Sequence, residues 1–245
     1  MKVVVFDTET NGLPKERFSS YSESEKWPHI VQLSYVVFDT DTNTVCRTED
    51  DIIRIDDSVD LPQECVDIHR ITRDMTRTTG IDIRIALEKF KQVISNTDCV
   101  VGHNVRFDRD MVCAEAFRCG LGNLFERTDN DKSAECKVRS KLSRIPEYCT
   151  MLKGKDVAKI ERISKTNGRI YYKNPTLTEL HMKLFGSAPE GTHDAVVDVL
   201  VCLRCYMNIR HNGVDVCTDS PSVRRLWASQ LEHLSDCGRK SNTTT

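Results

Sequence analysis

The feature that most constrains the fold of this chain is the apolar run at residues 3–6. All four residues are β-branched or aromatic, which is typical of a central strand covered on both faces. Such a strand needs a layer on each side, so the sequence predicts a layered α/β fold. Residues 31–38 and 52–55 are predicted to be further strands, and a turn at 39–43 predicts that the sheet begins as an antiparallel hairpin.

Apolar periodicity predicts the remaining elements. Helices are expected at Ile83–Ser95, at 105–119 before Gly120, at Leu177–Phe185 after Thr176 or Thr178, and at 195–203. The last of these is apolar on every side, so we expect it to be buried against the sheet. A short strand is predicted at 99–101, an edge strand at 148–152, and an amphipathic helix at 223–234.

Charge is unevenly distributed along the chain. The formal net charge is only -2, so binding to nucleic acid would need a local basic patch. Residues 132–173 carry twelve lysines and arginines against four acidic residues. We therefore predict a main domain at 1–212 with a basic insertion at about 123–173. A tail at 213–245 would hold a short amphipathic helix and a disordered end.

The chain shows none of the sequence features of a secreted or membrane protein. No apolar segment is long enough for a signal peptide or a membrane span. The eleven cysteines are odd in number and scattered, which favours reduced thiols over a disulfide framework. We expect a soluble intracellular protein, in the cytoplasm or nucleus, with no membrane partner.

Four carboxylates occupy positions where an acid is costly. Asp7 and Glu9 follow the first apolar strand and, two residues apart, share one face of it. Asp108 follows Val105 and Phe107 in a predicted helix, and Asp198 lies within the most apolar helix. Burying an ionised carboxylate without a partner costs several kcal/mol, so each acid needs a cation nearby.

The cation could be a basic side chain or a metal ion. Each acid alone could cap a helix or pair with a basic side chain, but four such acids together favour a metal. Oxygen ligands are those that Mg²⁺ and Mn²⁺ prefer, and Mg²⁺ often shares its coordination with phosphate. His193 precedes Asp198 by five residues at the entrance to its helix, and its imidazole is suited to accepting a proton near neutral pH.

Three motifs in the sequence resemble those of a known family. They are Asp7-Thr8-Glu9-Thr10, the stretch Gly-His-Asn-Val-Arg-Phe-Asp at 102–108, and His-Asp-Ala-Val-Val-Asp at 193–198. In this order they resemble the exonuclease motifs of the DEDDh group of the DnaQ-like, RNase H-like superfamily, which includes the proofreading subunit of DNA polymerase III. Residues 67–72 resemble the family's His-Gly-Ile-Thr segment, with Arg70 in place of the usual glycine.

The resemblance implies a fold and a set of site residues. The fold would be an RNase H-like mixed five-stranded sheet flanked by helices. Two ions, Mg²⁺ or Mn²⁺, would be held by Asp7, Glu9, Asp108 and Asp198, and His193 would be the general base. Contacts to the terminal nucleotide would come from Glu64 and His69 and, less strongly implied, from Thr8, Thr10, Leu13 and Asn104.

The function that these features predict is a two-metal 3′-5′ exonuclease that releases nucleoside 5′-monophosphates from single-stranded or frayed DNA or RNA 3′ ends. Basic residues of the insertion would follow the upstream phosphates: Lys137, Arg139, Lys141 and Arg144. Two alternatives stay open, an RNA-trimming or oligoribonuclease role with the same chemistry and a catalytically silent nucleic-acid-binding module. The C-terminal helix would dock either on its own domain or on a protein partner.

Overall fold

The computed structural model describes residues 1–16, 19–126, 144–191 and 194–241. Its centre is a five-stranded sheet made of β1 (Lys2–Thr10), β2 (Ile30–Asp39), β3 (Thr44–Ile52), β4 (Cys99–Gly102) and β5 (Glu147–Cys149), in the spatial order β3-β2-β1-β4-β5. β2 is antiparallel to β1 and β3, whereas β4 is parallel to β1 and β5. This mixed sheet, flanked by helices, confirms the predicted fold class.

The helices follow in chain order. They are α1 (Gln63–His69), α2 (Arg73–Thr78), α3 (Ile83–Ser95), α4 (Val105–Arg118), α5 (Thr150–Ala158), α6 (Leu177–Phe185), α7 (Ala195–Arg210), α8 (Val216–Asp219) and α9 (Pro221–Ser241). A separate antiparallel hairpin, β6 (Glu161–Ile163) and β7 (Ile170–Tyr172), lies between α5 and α6. No helix in the described ranges is long and apolar enough to cross a membrane.

Side chains of β1 alternate between two apolar layers. Val4 and Phe6 belong to the core formed with α3 and α4, whereas Val3 and Val5 belong to the core formed with α7. All four are essentially inaccessible to water, as expected for a central strand. The alternation also decides which layer each residue at the end of β1 faces.

Two predicted strands are wrong. The third strand is Thr44–Ile52 rather than 52–55, and Ile53 forms only an isolated bridge with Ile81. β3 is an edge strand held by backbone pairing with β2, and its polar residues gave no apolar pattern. The predicted strand at 148–152 is cut short because Thr150 begins α5 and donates its buried hydroxyl proton to the carbonyl of Gly102.

The C-terminal helix α9 docks on the rest of the chain. Val223 is fully buried, and Leu226 and Trp227 pack against the core beneath α7. Ser220 Oγ donates to Asn43 O at 2.7 Å, which ties the start of α9 to the β2–β3 turn. The predicted disordered end includes residues 242–245, which lie outside the described part of the chain. The predicted boundary at 212 and a protein partner for this helix also stay predictions.

Candidate active site

Asp7 and Glu9 lie at the carboxyl end of the central strand. They continue the face of β1 that carries Val3 and Val5, and they therefore point toward the layer formed by α7. Both side chains are only partly buried, whereas the residues that precede them on this face are fully buried. The two carboxylates therefore lie at the edge of the apolar layer that buries this face of β1.

Asp108 reaches the same place from the opposite layer. It stands in the first turn of α4 and is only 3% exposed. Its Oδ1 accepts hydrogen bonds from the backbone N–H of Thr8 at 3.1 Å and from the Thr8 hydroxyl at 2.8 Å. Thr8 faces α4 because it alternates along β1 with Asp7 and Glu9, which face α7.

Asp198 completes the group from α7. It lies in the first turn of that helix, where the positive end of the helix dipole stabilises a negative charge. The helix is capped by Asp194, whose Oδ1 accepts from Val197 N at 3.1 Å. The cap fixes where α7 begins and therefore where Asp198 stands relative to β1.

Burial and mutual repulsion raise the pKa values of Asp7, Glu9 and Asp108. Loss of water raises the pKa of Asp7, and the charge of Asp198 raises it further. Burial also raises the pKa of Glu9 to about 8, with Asp7, Asp198 and Asp194 adding to the effect. The pKa of Asp108 is raised by burial and by Asp7, against the two hydrogen bonds from Thr8. The four carboxylates therefore behave as one coupled cluster that a cation would stabilise.

The acids line one cleft of about 280 Å³. The other lining residues are Thr8, His103, Phe107, Thr176, Leu177 and Thr178, and none of the described lining residues is a lysine or arginine. Within the described residues, no three potential ligands are drawn close enough to hold a metal ion in this arrangement. The all-oxygen donor set of the cleft is of the kind that Mg²⁺ and Mn²⁺ prefer.

Of the two stronger substrate candidates, His69 is the more informative. Its Nδ1 accepts from Ile71 N at 3.0 Å, so the proton of the neutral ring is on Nε2. Nε2 is buried and has no hydrogen-bond partner among the described residues, and burial lowers the pKa of the ring. Glu64 lies on the same helix, α1, and is exposed. Neither Glu64 nor His69 is among the residues that line the cleft.

The weaker candidates fall into two groups. Thr8 uses its hydroxyl on Asp108, and Thr10 donates its own to Gly12 O at 2.7 Å, which holds the loop after β1. Leu13, which is 78% exposed, and Asn104 line a neighbouring depression of about 410 Å³. Phe107 lines both this depression and the acidic cleft, so the two are adjacent.

Some cleft residues were not assigned from the sequence. His103 Nδ1 lies within hydrogen-bond distance of Thr150 Oγ1, at 3.0 Å. The Nε2–H of the same ring donates to Pro175 O at 3.1 Å. This contact holds the segment that brings Thr176 and Thr178 to the cleft. His103 stands within the second motif and Thr176 begins a predicted helix, but neither pattern says that the two segments meet.

Several predicted residues lie outside the described ranges. They are His193 and the basic residues Lys137, Lys141 and Arg139. Arg144 is described, is exposed and forms an isolated bridge with Glu126.

Most of the chain matches the model of one protein family. A family model described as "Exonuclease", of the RNase T type, matches residues 4–206. That range contains every acid of the cleft and stops within α7. Among curated protein sequences, no significant match is found.

Solved structures of exonuclease I share the fold. The Escherichia coli enzyme in complex with a dT13 oligonucleotide is 16% identical, with a TM-score of 0.59 over 86% of this chain and 42% of that chain. Its zinc-bound complex with single-stranded DNA is 17% identical, with a TM-score of 0.56 over 86% and 41%. Exonuclease I from Methylocaldum szegediense is 16% identical, with a TM-score of 0.56 over 86% of this chain and 41% of that chain. This chain thus spans about two fifths of the length of each solved protein.

Proposed function

Because this chain belongs to the RNase T exonuclease family, we propose that it is a metal-dependent 3′-5′ exonuclease. It would release nucleoside 5′-monophosphates from single-stranded or frayed 3′ ends of DNA or RNA. The observation that carries the proposal is the cleft itself. Four carboxylates line it, the pKa values of Asp7, Glu9 and Asp108 are raised there, and none of the described lining residues is basic.

The chemistry of the cleft suits divalent cations, because four carboxylates line it and none of the described lining residues is basic. Asp7, Glu9, Asp108 and Asp198 would hold them, and Mg²⁺ or Mn²⁺ suits their oxygen ligands. When bound, such cations activate a water and stabilise the charge that develops on the scissile phosphate and the leaving oxygen. The zinc ion named for E. coli exonuclease I supports a divalent cation at this fold.

The chain's own residues would position the 3′ end. Thr8 holds Asp108 through two hydrogen bonds and so fixes one side of the cation site. The buried Nε2–H of His69, which has no partner in the part of the chain that the structure describes, would donate to an oxygen of the terminal nucleotide. Phe107 separates the cleft from the depression lined by Leu13 and Asn104, where a terminal base has room.

His193 is our proposal for the general base. It adjoins Asp194, whose carboxylate is near enough to Glu9 to raise the pKa of that residue. An imidazole is suited to accepting a proton from the attacking water at neutral pH. Replacement by asparagine would then remove the ascending limb of the pH profile that the imidazole produces.

The test uses 5′-labelled single-stranded DNA and RNA of one sequence, incubated with Mg²⁺, Mn²⁺ or EDTA. We expect a metal-dependent ladder that shortens from the 3′ end, and no digestion when the 3′ end is blocked. Asp7→Asn should slow digestion at least about a hundredfold, whereas Asp156→Asn, an exposed acid on α5, should digest like wild type.

The same experiment separates the alternatives. Faster digestion of RNA than of DNA would favour the RNA-trimming role, and faster digestion of DNA would exclude it as the main one. Retained binding with no digestion under any metal would contradict the exonuclease and favour a nucleic-acid-binding module.

A further inference from the structure

The hairpin of β6 and β7 exposes an unusual amount of apolar surface. Ile163 is 70% exposed, Ile170 65%, Tyr171 50% and Tyr172 37%. All six strand residues are exposed, so no described element covers either face of the hairpin. A bare two-stranded hairpin is marginally stable in water, and exposed aromatic residues of this kind commonly mark a binding surface.

The hairpin is also basic. Residues 159–173 contain five lysines and arginines and one acid, in a chain with a net charge of -2. Arg162, Lys165 and Arg169 form no ion pair with any acid of the described ranges. Their charges are therefore available to an anionic partner.

Aromatic and basic groups stand side by side on one face. The strand register places Arg162 directly opposite Tyr171, and opposite residues of an antiparallel pair share a face. A ring can stack on a base while an adjacent guanidinium contacts phosphate, which is the combination that binds single-stranded nucleic acid. A purely apolar partner would offer these cations no negative charge to pair with.

The base of the hairpin is fixed to the rim of the cleft. Lys173 Nζ lies 2.6 Å from Glu179 Oε2, and Glu179 also forms the capping box of α6 with Thr176. The adjoining Pro175 is held by the contact between its carbonyl and His103. Thr176, which lines the cleft, follows Tyr172 by four residues, a span of at most about 14 Å.

We propose that the β6–β7 hairpin is a binding platform for the substrate strand upstream of its 3′ end, with Tyr171 stacking on a base and Arg162 contacting phosphate. The inference rests on the proposed function, since the cleft must hold the 3′ end of the same strand. Bound this way, a single strand covers the exposed rings and pairs its phosphates with the free cations.

Binding of 5′-fluorescent oligomers by the full chain in EDTA tests the platform without cleavage. For strands of about 16 nucleotides, Tyr171→Ala should raise Kd about tenfold, and Tyr171→Phe should restore most of the affinity. Arg162→Gln should reduce the slope of log K against log salt by about 0.7. The loss should be smaller for strands of about 4 nucleotides, which do not extend far beyond the cleft. DNA and RNA oligomers are both measured.

Two control variants match the changes on another surface. Ile85→Ala removes a side chain that is 51% exposed on α3, and Lys91→Gln removes an exposed charge on the same helix. Neither should change Kd or the salt slope. Circular dichroism spectra equal to wild type would confirm that the hairpin variants are folded.

An unchanged Kd and salt slope in folded Tyr171→Ala and Arg162→Gln would overturn the platform, as would equal losses in the α3 controls. The proposed function fails in a different way. In that case the wild-type protein digests no oligomer with Mg²⁺ or Mn²⁺, whatever the hairpin variants do to binding.

Discussion

Asp7, Glu9 and Asp108 differ from surface carboxylates because each has lost water and faces another negative charge. Asp108 is almost fully buried, and the amide and the hydroxyl of Thr8 both donate to its carboxylate. Glu9 is less buried but is surrounded by three other acids. Their raised pKa values mean that the folded chain holds protons that the unfolded chain releases.

This difference predicts how the stability of the metal-free protein depends on pH. A carboxyl whose folded pKa is raised stabilises the fold at low pH, and that stability is lost as pH rises from the ordinary value toward the folded value. For Glu9 the window extends from about 4.5 to about 8. In EDTA, the melting temperature should therefore fall across this range, and less so in Glu9→Gln.

Divalent cations should reverse the effect. They bind the ionised carboxylates, so Mg²⁺ should raise the melting temperature more at about pH 8 than at about pH 6. Glu9→Gln separates this effect from other titrating groups because only one carboxyl is changed. A melting temperature in EDTA that rises equally with pH in both proteins would contradict the assignment.

Thr8 gives a second prediction at the residue scale. Thr8→Val removes the hydroxyl that donates to Asp108 but keeps the backbone donor and the size of the side chain. We expect activity to fall about 10- to 100-fold, as for other residues that orient a ligand, and the Mg²⁺ concentration for half-maximal activity to rise. Thr8→Ser retains the hydroxyl and should behave nearly like wild type. Equal activity in the two variants would show that the hydroxyl does not position Asp108.

At the scale of elements, the end of α1 requires a left-handed backbone conformation at Arg70. The helix ends at His69, and Arg70 adopts a left-handed conformation with φ of 65°. The related family usually has glycine here, the residue that adopts this conformation without strain. The turn places the ring of His69 against Ile71 N.

Arg70→Gly should therefore stabilise the protein by about 0.5 to 1 kcal/mol, because it relieves the left-handed strain at the end of α1. Urea unfolding measures the change. Arg70→Ala is the matched control, since it shortens the side chain but keeps the strain, and it should give no gain. If the alanine variant gains as much as glycine, the arginine side chain rather than the backbone is responsible.

At the scale of the molecule, the C-terminal helix belongs to the main core. Val223 of α9 is fully buried in the same apolar layer that covers β1 beneath α7. Val223 belongs to the same core cluster as Val3 and Val5 of β1, the strand that carries Asp7 and Glu9. We therefore expect the tail and the sheet to unfold together.

Val223→Ala should lower the free energy of unfolding by about 2 kcal/mol, from lost burial and the cavity that remains. Val157→Ala is the same change at a position that is 37% exposed on α5, and it should cost much less. Urea unfolding followed by tryptophan fluorescence reports on Trp227, which packs against the same layer, and on Trp27 in the other core. An effect no larger at Val223 than at Val157 would show that the tail is not part of the core.

The sequence by itself determined the elements whose pattern is strong and local. The apolar run of β1, the bounds of α3 and α6 and the buried helix α7 are as predicted, because periodic burial leaves a clear pattern in the residues. The unusual placement of the four acids was also visible, because charge beside an apolar run is costly in any fold.

Only the tertiary structure decided what meets at the cleft. β3 forms through backbone pairing with β2, and its polar side chains carry no sign of it. His103 and Pro175 are separated by 72 residues in sequence, yet their contact brings Thr176 to the acids. Such contacts depend on the packing of whole layers, which no local pattern records.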